Sequence, residues 1–306
     1  MTRLNISILQ LAVPGAILIA SVHAQDKALL RPHWQAGKTY HQQTETQTTS
    51  TLTPAPGEFI EQKLNVVQKT EIRVVPEPGT ANKRAEVKFA GMTGEMTFQG
   101  RTFKFDSADP QSAHPLLRQA LAGTTGRSFA MIFDGEDAFV EVKGTERLAG
   151  DGATITGLGA MADARGVANL FRQSLEAGLS SKPVAPGDKW TTEQTIPFPQ
   201  AGEMKVRLNS TYAENVQRDG RLHAKVTFEG RIGSTDTEPD EKGRGEAAAS
   251  LSGESTLSGQ VFFDLERRTV SLSVFLANLT LKLQGNRIPL RQQVTTRLAS
   301  ITDNAP

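Results

Sequence analysis

Apolar and polar residues alternate along most of this chain. Leu222, Ala224, Val226 and Phe228 share one face of a period-2 run, as do Val206, Leu208 and Tyr212 before it, with Arg218-Asp219-Gly220 between them. Successive side chains of a strand point to opposite faces, so this pattern predicts a hairpin with one buried face. Phe129, Met131 and Phe133 run into Asp134-Gly135, with Phe139 and Val140 beyond, and the Asp-Gly pair marks a second hairpin. Val261, Phe263 and Leu265 lead through Glu266-Arg267-Arg268-Thr269 into Val270, Leu272, Val274 and Leu276, a third. Ile288, Leu290, Val294 and Leu298 supply a last alternating strand.

The strand after Thr269 changes phase. Its apolar residues fall on even positions to Leu276, then on Leu279, Leu281 and Leu283. A one-residue slip exchanges the faces, which predicts either a bulge near Ala277-Asn278 or a strand covered on both sides. Bulges bend sheets, so a strongly curved sheet is expected. Two segments break the alternation: Pro115 to Leu121 reads as a short helix ending near Gly123, and Val167, Leu170, Phe171 and Leu175 form one stripe of a helix over 160–177, stopped by Gly178. Pro54 to Gly57 and Pro76 to Gly79 are turns, and Ser234 to Gly245 is a charged loop.

The first residues set the compartment. Arg3, a mostly apolar stretch and Val22-His23-Ala24 compose a secretory signal covering 1–24, cleaved after Ala24. Export to the periplasm or the outside of a bacterium follows, with no integral span in what remains. Cysteine is absent, which excludes disulfides, thiolate metal sites and a lipoprotein anchor. Without Arg3 the 34 cations become 33, equal to the 33 carboxylates, so nothing predicts capture of nucleic acid or of an anionic membrane. Residues 25–306 suffice for a single β-rich domain, or for two related halves, 25–150 and 184–306, joined by a helical segment 151–183.

Two stretches 150 positions apart hint at such halves: WQAGKTYHQQTET from Trp34 and VAPGDKWTTEQTI from Val184. Val87 to Gly91 then answers Val226 to Gly230, and Phe105-Asp106 answers Phe263-Asp264. Duplication predicts a pseudo-twofold, each half giving a meander to one sheet or to two facing sheets, with Tyr40 and Trp190 as packing anchors.

The Gly37-Lys38-Thr39-Tyr40 start, the Phe133-Asp134-Gly135 hairpin running to Val142-Lys143-Gly144, Pro186-Gly187-Asp188-Lys189-Trp190 and the Phe263-Asp264-Leu265-Glu266-Arg267 hairpin together resemble a family of exported bacterial proteins described only as a domain of unknown function. That resemblance implies no activity and no catalytic residues. More loosely, a long curved antiparallel sheet with a few helices is similar to the unclosed barrel of periplasmic lipoprotein and lipid carriers.

Candidate chemistry is sparse. Gly157-Leu158-Gly159-Ala160-Met161-Ala162 fits a dinucleotide-binding turn but lacks the second strand and acidic residue that such a site needs. Gly126-Arg127-Ser128 is no nucleophile elbow, because Ser128 starts a strand. His33, His41, His114 and His223 are scattered, without metal-ligand spacing. Asp134, Glu136 and Asp137, like Asp236, Glu238, Asp240 and Glu241, read as solvated turn charge.

No enzyme, cofactor or metal is therefore expected. The fold expectation is a mainly β protein, one large curved antiparallel sheet with about two helices. The functional expectation is a binding protein for an apolar or amphipathic ligand, with Phe89, Phe98, Phe105, Phe133, Phe263 and Phe275 as candidate ligand contacts. The alternative is an envelope protein module that meets a protein partner through the polar run Thr39 to Thr53, read as an edge strand.

Overall fold

The computed structural model describes residues 27–52, 59–115, 118, 126–145, 171–198, 202–234, 250–251, 255–283 and 286–304. The predicted signal, most of both predicted helices and most of the charged loop lie outside them. The first half contributes β1 (Lys38–Leu52), β2 (Ile60–Pro76), β3 (Lys83–Phe98), β4 (Arg101–Asp106), β5 (Ser128–Phe133) and β6 (Phe139–Lys143). The second contributes β7 (Lys189–Phe198), β8 (Gly202–Arg218), β9 (Arg221–Ser234), β10 (Ser250–Leu251), β11 (Ser255–Asp264), β12 (Thr269–Leu283) and β13 (Asn286–Asp303). All join one curved antiparallel sheet, in the order β6-β5-β3-β2-β1-β13-β12-β11-β9-β8-β7, with β4 on β3 and β10 on β12. The sheet does not close into a barrel. Residues 171–176 are helical and Pro110–Ser112 form a 3₁₀ turn.

The two meanders run the same way across the sheet, with β13 inserted between them. Gly37 and Gly187, at φ +83° and +94°, turn the chain into β1 and β7, and each amide donates to the second strand of its meander, at Val74 O and Tyr212 O. The order corrects one proposed match. Asp264 corresponds to Asp134, not to Asp106: Asp134 follows Phe133, the last residue of β5, Asp264 follows Phe263 and closes β11, and each Oδ1 accepts two amides of the turn to the next strand.

Register shifts occur in five strand pairs, and the unpaired extra residues are Ala90, Val140, Ala213, Ser271 and Ala299. The β12 bulge thus lies at Ser271 rather than near Ala277-Asn278. From Leu272 to Leu283 that strand pairs with β13 without interruption. Its phase change arises because apolar residues occupy both faces: Val274 and Leu276 outside, Phe275, Ala277 and Leu279 inside.

Alternation and register together locate the inner face. Cross-strand partners run Ser210, Phe228, Gly259, Phe275 from β8 to β12, and Val294, Thr46, Val66, Gly94, Phe105 from β13 to β4. Two glycines in this row are fixed by their neighbours: a Cβ on Gly94 would lie 2.6 Å from Phe105 Cζ, and one on Gly259 2.4 Å from Phe228 Cζ. Each leaves room for a phenyl ring laid across the adjacent strand.

Two buried cores stand side by side on this face. One gathers Tyr40, Ile72, Val74, Val87, Phe129 and Met131, the other Leu208, Tyr212, Val226, Phe228, Val261 and Phe263. A strap, residues 27–37, crosses both: Ala28 exchanges hydrogen bonds with Val184 at 2.8 and 2.9 Å, Leu30 enters the second core and Trp34 the first. Leu175 and Leu179 repeat that division on either side of Gly178. A smaller cluster of Met92, Phe105 and Ala113 lies further along the inner face.

The polar strand expected at an edge is central. β1 pairs with β2 on one side and β13 on the other along nearly its whole length. It lacks apolar residues because neither of its faces is capped by a core beyond Tyr40, not because one of its edges is free.

Candidate ligand-binding face

Away from the strap the inner face is only partly covered. Leu64, Val66, Met96 and Phe103 in the first half, and Leu257, Phe275 and Leu279 in the second, retain intermediate exposure, as do Leu290 and Val294 of β13. A polar stripe separates these apolar flanks where β1 meets β13. Thr44 Oγ1 and Thr296 Oγ1 share a hydrogen bond at 3.0 Å, and Gln292 Nε2 donates to Thr48 Oγ1 at 3.3 Å. Thr46 lies between them on the same face. Such a floor offers contact to apolar groups on both sides and hydrogen bonds down the middle.

All six candidate phenylalanines fall on the inner face, at different depths. Phe133 and Phe263, 2% and 1% exposed, fill the two cores at corresponding strand ends. Phe133 packs on Trp34 at 5.7 Å and Phe89 on Phe171 at 6.3 Å. Phe105 is sealed against Gly94. Phe275, half-buried over Phe228 at 5.1 Å, and Phe98 at the end of β3 border the open region.

Three buried carboxylates, Glu77, Asp137 and Asp264, stand at strand ends and turns. Asp137, expected as solvated turn charge, is buried: its carboxylate accepts from Lys83 Nζ, from the Trp34 amide at 3.0 Å and from His33 Nδ1 at 2.6 Å. Burial alone would raise its pKa, but these three donors hold it below the ordinary value. Its φ of +66° sets the side chain back toward the strap. Asp264 combines turn capping with an Arg221 Nε contact at 2.7 Å, so its carboxyl is also lowered despite burial. Glu77, bonded by Arg84 at 2.7 Å and Lys143 at 2.9 Å, is lowered to about 2.

Tyr40 ties the strap down from below. Its hydroxyl donates to His33 O at 3.1 Å and accepts from the Gln35 amide at 3.0 Å, and burial raises its pKa. Sequence reasoning assigned Tyr40 its packing role but missed the strap and Asp137, since a single short segment carries no periodicity. The Trp34 and His33 pair directly before a predicted strand was the available signal.

No helix among the described residues is long and apolar enough to cross a membrane. No family model and no curated protein matches the chain. Among solved structures, 90% of the chain is similar to lipovitellin, in a structure concerned with lipid–protein interactions, at TM-score 0.51 and 12% identity. The chain spans 26% of that protein's length, and at this identity the likeness is one of fold alone. A Bacteroides fragilis protein described as exported, with a YmcC-like fold, aligns over 90% of this chain and 100% of its own at TM-score 0.29 and 12% identity. A β-barrel-like protein of a domain of unknown function from Brucella abortus aligns over 87% and 98% at TM-score 0.20 and 8% identity.

Proposed function

We propose that this is an exported, non-catalytic protein that binds an apolar or amphipathic ligand on the inner face of its open sheet. The observation that carries the reading is the partly exposed apolar surface on both sides of the threonine-lined stripe. Side chains in a sealed core are normally buried outright, whereas Leu64, Val66, Leu257 and Leu290 keep solvent contact on the face that curves inward. Covering such surface is worth about 25 cal/mol per Å² of apolar area, so a molecule laid along it gains affinity without any charged contact. The signal-like residues 1–24 support export. The likeness in fold to a protein studied for its lipid contacts is supporting analogy.

The test is native mass spectrometry of protein purified from its own host, before and after solvent extraction. A stoichiometric apolar or amphipathic molecule lost on extraction is the expected result. Protein that is empty as purified, and that takes up no fatty acid or phospholipid offered in excess, overturns the reading.

A further inference from the structure

β7 is an edge strand: β8 pairs with one side of it, and no described strand pairs with the other. Its counterpart β1 is held on the corresponding side by β13, where Lys38 Nζ meets Asp303 Oδ1 at 2.6 Å. An antiparallel strand with a charge pair at its end is therefore what this scaffold accepts there.

The open side has a defined chemistry. Tyr212 donates its amide to Asp188 O at 3.0 Å, which turns the even positions of β7 toward β8. Strand alternation then points the N–H and C=O groups of Lys189, Thr191, Glu193 and Thr195 outward. Pro197, next in that series, has no N–H to offer, so the usable edge ends before it. Along 189–195 β7 carries no bulge, and its pairing with β8 is regular. Natural sheets usually blunt such an edge.

The side chains indicate what pairs with it. Lys189 and Glu193 are exposed on the outer face; Glu193 Oε1 lies 3.5 Å from Arg207 Nε of β8 with both side chains largely in solvent, which leaves it open to a second cation, and among the described residues Lys189 has no carboxylate partner. The order Lys189-x-Thr191-x-Glu193 is self-complementary about its centre. We propose that β7 pairs antiparallel with β7 of a second copy of this chain, Thr191 opposite Thr191, so that Lys189 of each copy faces Glu193 of the other. Thr191 and the two charged positions are then backbone-bonded pairs, as their outward N–H and C=O groups require. On the inner face the same register sets Trp190 opposite Thr192 of the second copy. Within one copy Trp190 Nε1 and Thr192 Oγ1 both lack a hydrogen-bond partner. The twofold axis passes through the sheet at Thr191, and the inner faces of the two copies become continuous.

Sedimentation velocity over about 1–100 μM tests this, because an interface built on one strand pair falls in the small, weak class. The whole mature protein is expected to dimerise. Lys189→Glu and Glu193→Lys each place like charges opposite one another twice, and should weaken association at least about tenfold. The double variant K189E/E193K restores the pairs and should restore the dimer. Thr191→Pro, which removes an outward donor from an edge strand, should give a monomer with unchanged circular dichroism. A wild-type monomer at 100 μM, a dimer indifferent to these substitutions, or a double variant no better than either single one overturns the proposal. The outcome is independent of ligand, since delipidated protein is used throughout.

Discussion

Leu30 and Trp34 stand four residues apart on one extended segment and belong to different hydrophobic cores, each almost fully buried at 1% and 3% exposure. The strap therefore crosslinks the two meanders without any covalent bond, in a chain that has no cysteine to make one. Each anchor contributes through burial, and the hydrogen bonds at Ala28, His33 and Trp34 fix its direction.

Truncating the larger anchor should release the strap. Trp34→Ala is expected to cost about 3–5 kcal/mol, the range for deleting a buried aromatic. Urea denaturation gives the magnitude, and limited proteolysis should show new cleavage within 27–37 before the sheet unfolds. A variant as protease-resistant as the wild type would show that the strap is held chiefly by other contacts.

Asp137 gathers a lysine, a histidine and a backbone amide at 3% side-chain exposure. Asp137→Asn leaves Lys83, 13% exposed, without its carboxylate, and a buried charge stripped of its partner costs about 3–5 kcal/mol. Combining it with Lys83→Met removes the stranded charge and should recover much of that loss. Calorimetric melting of the three variants decides the matter. Additive losses in the double variant would mean that the ion pair is not the source.

Acid sensitivity has a named contributor in Glu77. Its folded pKa of about 2 lies below the ordinary 4.5, so the unfolded chain binds the proton more readily. The stabilisation is present in full above about 4.5 and is lost as pH falls toward 2. Glu77→Gln should be less stable than the wild type by a constant amount at neutral pH, and the gap should close between pH 4.5 and 2. Urea midpoints taken across that range test it, and a gap that widened with acid would contradict the assignment.

Gly259 and Phe228 can be tested as a pair. Gly259→Ala puts a methyl group 2.3 Å from Val274 O and 2.4 Å from the Phe228 ring, an overpacking expected to cost about 1–3 kcal/mol. Phe228→Leu on that background should recover part of the loss, whereas on the wild type it should only destabilise. Melting temperatures of the four proteins complete the cycle.

Much of the fold was legible because a strand with one buried face writes its own period: the hairpins at Asp134, Asp219 and Glu266 all stand where alternation placed them. Gly37 and Gly187 marked equivalent turns, but Phe105-Asp106 was matched wrongly because the pairing of β5 with β3 is a long-range choice that no local motif encodes. β1 misled for a physical reason. A strand that lines a solvated stripe on one side and faces water on the other looks like an edge, although its hydrogen bonds are satisfied on both sides. Asp137 resembled any turn carboxylate, since burial by a segment about a hundred positions away leaves no mark nearby.

β13 comes after every other strand in the chain yet occupies the middle of the sheet, between β1 and β12. Until its residues are available, the first meander exposes one flank of β1 and the second one flank of β12, so two half-sheets wait with unpaired backbone. Folding is thus closed by the latest strand, over a sequence separation of 265 positions at Lys38 and Asp303. Contacts that distant slow folding. A chain built this way stays unlocked until its last strand is in place, and only then are the two half-sheets committed to one another.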